Sequence, residues 1–178
     1  MKFLFAIVLG CFFLVTPTND TEKFHWDESR PLSWADFQGR PEGPRDFVAS
    51  TNSGISLSYS IGRQNGRYTF DYDVHSNFYP KESWYRPESA SEYILKHEQT
   101  HFDISELHAR KLRLALAGLK VTSNVKEDAD AIYREIERDR RAMQQAYDED
   151  SDHSKIKESE MQWRLFVASE LRKYGSWK

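Results

Sequence analysis

The chain has 178 residues with 25 Lys and Arg against 28 Asp and Glu, a formal net charge of -3, and 39% hydrophobic residues. That length predicts one domain with a modest core. Without a basic excess, charge argues against nucleic acid or an anionic membrane surface as partner.

Residues 1–19 have the parts of a secretory signal: Lys2, the apolar run Phe3 to Val15, and a small polar exit from Thr16 to Asn19. The run is short for a bilayer span and lacks a basic stop, so the expectation is an exported protein, periplasmic or secreted, with no transmembrane anchor after cleavage. The sole cysteine, Cys11, lies inside this leader. Lipid attachment there is the less favoured reading, because Phe12 to Val15 continues the apolar run. A mature chain without thiols must hold any metal through histidine and carboxylate.

Residues 20–178 read as one domain. The stretch 20–48 is rich in aromatics and turn formers, among them Trp26, Trp34, Phe37, Gly39 and Pro44. It is expected to be mostly irregular and packed down by its tryptophans, with His25 at the surface or in packing. Next, Ile55, Leu57, Tyr59 and Ile61 alternate with serines, and Tyr68, Phe70, Tyr72 and Val74 alternate with polar residues. Asn65-Gly66 between the two runs completes the signature of a β-hairpin with one buried face. Residues 77–86 are a candidate third strand. A free edge in such a sheet can pair with an extended peptide substrate.

A helix is expected from a capping box at Ser89 and Glu92 to about Gly118. Lys96, Gln99, Asp103, Glu106, Arg110 and Arg113 form its polar stripe, with Glu106 and Arg110 at ion-pair spacing. The opposite arc carries Ile94, His97, His101, Ile104, His108, Leu112, Ala115 and Leu119. His97, Glu98 and His101 stand in the order H-E-x-x-H. Residues four apart share one helical face, so the two imidazoles can grip one Zn²⁺. Glu98, about 100° round the helix, sits where a general base for water belongs. His108 lies about 10 Å further along the axis than His101 and is read as structural.

Two more helices follow, over Ser123 to Tyr147 with an Asn124–Glu127 capping box, and over Ser154 to Tyr174 with Ile156, Trp163, Phe166, Val167 and Leu171 inward. The chain therefore reads as α+β: a small antiparallel sheet on the H-E-x-x-H helix, with two further helices.

A catalytic zinc needs a third protein ligand and an open position. Ile104 and Leu107 replace the Gly and His that a metzincin would carry. Asp103 and Glu106 are turned more than about 100° from the histidines. His153, in the acidic connection after Tyr147, is the leading candidate; Glu127, Glu135 or Glu137 from the second helix would instead give a two-histidine, one-glutamate set.

The chain resembles the DUF922 family of bacterial proteins, to which zinc-dependent protease activity is attributed. The resemblance rests on Trp34-Ala35-Asp36-Phe37-Gln38-Gly39, Ser83-Trp84, the block from His97 to Glu106, Tyr147-Asp148 with His153, and Gln162-Trp163. Ser151 and Ser154 stand where threonine and glycine are usual. The likeness implies His97, His101 and His153 as zinc ligands and Glu98 as catalytic base. The expected activity is exported, zinc-dependent hydrolysis of a peptide or protein substrate, with Tyr147 as an oxyanion donor or, equally, a packing residue. The rival is an exported zinc-binding or envelope-binding protein without turnover.

Overall fold

The computed structural model describes residues 22–178; the leader assigned to residues 1–19, with Cys11, lies outside them. In chain order the elements are β1 (Phe24–His25), β2 (Ala49–Ser50), β3 (Ser53–Gln64), β4 (Arg67–Phe78), β5 (Trp84–Tyr85), α1 (Glu92–Ala117), α2 (Val125–Ser151) and α3 (Lys157–Lys173). This is an α+β fold. No helix among the described residues is long and apolar enough to cross a membrane.

β3 and β4 form the expected hairpin, in register from Ser53 opposite Phe78 to Gln64 opposite Arg67. Asn65 (φ 51°) and Gly66 (φ 77°) form its turn, both in the left-handed region that a two-residue hairpin loop requires. Ile55 and Val74 are buried against α1 and α2, whereas Ile61 near the tip stays exposed. The third strand of this sheet is β1, with Phe24 opposite Phe78. Residues 77–86 do not supply it. Pro80 opens a 3-10 turn that takes the chain away from β4, and β5 pairs antiparallel with β2 in a separate two-stranded sheet. Gly39 locks that second sheet to the aromatic N-terminal segment. Its N–H donates to the Ser83 carbonyl at 2.8 Å, and an added Cβ would come within 2.8 Å of the same oxygen.

α1 is the centre of the molecule, and three clusters cover three of its faces. Ala109, Leu112 and Leu116 meet the hairpin and α2; Phe102 meets Leu32, Phe37 and Phe78; Ile104 meets Tyr147 of α2 and Val167 of α3. The helix starts later than expected, because Pro87–Ser89 is a 3-10 turn and the N-cap is Ser91, whose side chain accepts the Ile94 N–H. Beyond the exposed Lys96, its polar stripe is also not solvated. The N-terminal segment and the chain's end cover it and turn it into a buried network. Trp26 Nε1 donates to Asp103 at 2.8 Å, Arg110 bonds Glu106 at 2.9 Å, and Arg113 reaches the carbonyls of Val74 and Trp177.

α2 runs a full turn beyond Tyr147, so most of the acidic connection is helical. Asn124 is its N-cap by position but makes no side-chain cap bond. α3 presents Glu160, Trp163, Val167 and Leu171 inward, while Ile156 and Phe166 stay about half exposed. Ile156 precedes the helix proper, and Phe166 falls one position off the inward stripe.

Candidate metal centre

One helical turn brings His97 and His101 together, with their Nε2 atoms 3.2 Å apart. Asp148, from the last turns of α2, places Oδ1 3.2 Å from His97 Nε2 and 3.0 Å from His101 Nε2. The three atoms form a nearly equilateral triangle. Its edges approach the ~3.3 Å expected between ligands of a tetrahedral Zn²⁺ bonded at about 2.0–2.1 Å.

The other ring nitrogens have their own partners. His97 Nδ1 donates to Glu160 Oε2 at 2.9 Å, and His101 Nδ1 bonds Gln144 Oε1. The Gln144 amide donates in turn to the His101 carbonyl at 2.8 Å, which orients its oxygen toward the ring. A histidine whose Nδ1–H is engaged this way offers Nε2 as a metal ligand. Burial disfavours the His97 imidazolium, but hydrogen bonds with Asp148 and Glu160 and the Glu98 charge outweigh it, raising the pKa to about 9. Burial likewise opposes Asp148 ionisation, yet His101 and His97 hold its carboxyl well below the usual range. The centre therefore favours a cation at its middle. Two imidazoles, one carboxylate and satisfied outer partners fit a divalent metal, and this His97, His101 and Asp148 group can hold one.

Glu98 is 4% exposed, and its Oε2 has no hydrogen-bond partner among the described residues. A buried carboxylate oxygen left open is costly unless a ligand or water uses it. Together with His97, His101 and Asp148, Glu98 lines an open cleft of about 1190 Å³. The consecutive run 47–53, which contains β2, forms another wall. Thr51 Oγ1 donates to the Glu98 carbonyl at 3.2 Å and fixes that wall against α1.

The other predicted site residues stand outside the triangle, at differing distances from it. His153 stands at the rim, its side chain 47% exposed and Nδ1 3.7 Å from Asp148 Oδ1. Its ring packs edge-on against Phe47, with centroids 5.1 Å apart. Tyr147 is fully buried behind the histidines, stacked on His97, and its hydroxyl donates to Glu160 Oε1 at 2.5 Å rather than opening onto the cleft. Glu127 and Glu135 are exposed on α2, and Glu137 is paired with Arg140. Sequence reasoning missed Asp148, Gln144 and Glu160. His108 is buried, its Nδ1 bonds the Ile104 carbonyl at 2.9 Å, and burial lowers its pKa to about 4.

The turn that carries His153 is strained. Asp152 (φ 45°), His153 (φ 50°) and Ser154 (φ 71°) lie consecutively in the left-handed region. A Schellman-type closure holds them, the His153 N–H donating to the Asp148 carbonyl at 2.9 Å. An L-residue in this region costs about 1–2 kcal/mol, which glycine avoids while losing about 0.5–1 kcal/mol to its own flexibility. Ser154→Gly is therefore expected to stabilise the protein by about 0.5–1 kcal/mol, read as a rise of roughly 2–4 °C in Tm. A fall in Tm would show that the loop is not strained there.

Comparison with known families matches residues 34–154 to the family described as "Bacterial protein of unknown function (DUF922)". No curated protein and no solved structure matches the chain. The matched stretch holds His97, Glu98, His101 and Asp148 but ends before α3.

Proposed function

The chain belongs to the DUF922 family, and from that premise we propose that it is an exported zinc-dependent metallopeptidase with His97, His101 and Asp148 as metal ligands and Glu98 as general base. The observation that carries this reading is Glu98 itself, next in sequence to the ligand His97, lining the cleft with a carboxylate whose buried Oε2 has no hydrogen-bond partner among the described residues. A purely structural site would favour a fourth protein ligand and has no use for a free carboxylate.

Zinc bound there would lower the pKa of water toward neutrality and polarise a carbonyl. Glu98 accepts the attacking water's proton on its carboxylate and returns it to the departing amine. His153 takes the role first assigned to Tyr147: a rim imidazole on the cleft can donate to the carbonyl oxygen as it gains charge. Tyr147 instead steadies Glu160.

A peptide substrate is supported by β2. Among the described residues it pairs only with β5. The Arg86 N–H donates to the Val48 carbonyl at 2.8 Å. The antiparallel alternation then directs the Ala49 N–H and C=O away from β5, and Ala49 lines the cleft. An extended peptide backbone can pair with that edge. Export rests on the composition of residues 1–19. The test is cleavage of a broad peptide library by full-length mature protein, lost on chelation and restored by zinc; no chelator-sensitive cleavage would overturn the hydrolase reading.

A further inference from the structure

We infer that Glu160, on α3 and outside the family-matched stretch, is a positioning residue for the metal centre, holding His97 through Nδ1 so that Nε2 faces the ligand triangle. The inference rests on the metal-site reading above and adds to it a residue from a helix that no comparison assigns to the site.

The geometry gives Glu160 little else to do. Its side chain is 1% exposed, in the middle of an otherwise apolar stripe where α3 packs on α1 and α2. An ionised carboxylate in such a place is expensive unless each oxygen is satisfied. Its two oxygens are divided between tasks. Oε1 accepts from the Tyr147 hydroxyl at 2.5 Å and from Arg164 Nε at 2.9 Å. Oε2 is left to His97 Nδ1 at 2.9 Å. Arg164 also donates to the Tyr93 carbonyl at 3.1 Å, which ties this corner of α3 to the first turn of α1. The Tyr147 ring stacks on His97 with centroids 4.6 Å apart, so the imidazole is clamped by its face and by its edge.

A structural role alone would be better served by an apolar residue at position 160, since replacing a buried charged network by apolar side chains is often neutral or stabilising. The network is explained if its end point is the ring orientation of a ligand. A carboxylate on the far nitrogen of a metal-binding histidine fixes tautomer and rotation and raises ligand basicity.

The experiment measures Zn²⁺ affinity of the mature chain by competition with a chromophoric chelator, with circular dichroism as control for folding. Glu160→Gln is expected to weaken zinc binding by about 10–100-fold. It should also shift the downfield imidazole N–H resonance of His97 in the zinc-loaded protein, because the charged acceptor is gone. Leu116→Ala, a cavity at the far end of α1 from His97 in the cluster under the hairpin, should lower stability while leaving affinity and resonance unchanged. Parent-like affinity in Glu160→Gln would overturn the inference. If that variant does not fold, Tyr147→Phe carries the test: a several-fold loss of affinity supports the inference, and parent affinity overturns it. A parent chain that binds no zinc would instead bring down the metal-site reading itself.

Discussion

Glu98→Gln is expected to keep the parent's zinc content while lowering peptide hydrolysis by about 100- to 10,000-fold, the range that a positioned general base contributes. The swap is nearly isosteric, and in the structure Glu98 Oε2 bonds to nothing among the described residues, so the fold loses no hydrogen bond there. An amide cannot take up the proton that the reaction must place somewhere. Replacing a buried carboxylate whose Oε2 has no hydrogen bond by a neutral amide should also leave Tm equal or higher in the zinc-loaded protein. A residue kept at the expense of stability because catalysis needs it gives this pairing of lost rate and unharmed fold. Kinetics on a peptide cleaved by the parent, with metal analysis and a melting curve on the same preparation, check all three. Full activity in the variant would remove Glu98 from the mechanism. A zinc-binding protein without turnover would show itself earlier, as a parent that cleaves nothing.

Local pattern made much of this architecture legible. Alternation and Asn65-Gly66 specified the hairpin because a two-residue turn fixes register by itself. The spacing of His97 and His101 fixed their common face because a helix has one period. What local pattern does not carry is the covering of α1 on its polar side. The polar residues from Gln99 to Arg113 look like a solvated stripe until Trp26, Leu32 and the carbonyls of Leu171 and Trp177 close over them. That closure joins residues more than 60 positions apart. Asp148 was hidden differently. A run of acids reads as a loop, yet Met143 and Tyr147 are four apart and both face the α1–α2–α3 core. That interval continues the inward stripe of α2 past the assumed helix end, and Gln144 and Asp148 stand next to it on the side toward His101.

The same geometry separates Asp148 from His153 as third ligand. Asp148→Ala is expected to weaken zinc binding by more than about 100-fold, beyond the ~10–100-fold effect of an outer partner, whereas His153→Ala should stay within about threefold of the parent. The Asp148 side chain touches both ligating nitrogens at 3.0–3.2 Å, and its backbone carbonyl alone closes the helix end, so truncation at Cβ leaves the turn intact. His153 faces the rim, 3.7 Å from the same Oδ1. For it to bind the metal, its ring would have to leave the edge-on contact with Phe47. Its loss should appear in kcat at constant zinc content, as expected of a donor to developing negative charge. Chelator competition on both variants, with activity measured at saturating zinc, distinguishes the cases. If His153→Ala sheds the metal and Asp148→Ala retains it, the ligand set is three histidines and the carboxylate is an outer partner. If both behave as predicted, the site is a two-histidine, one-carboxylate centre whose acid comes from a helix end.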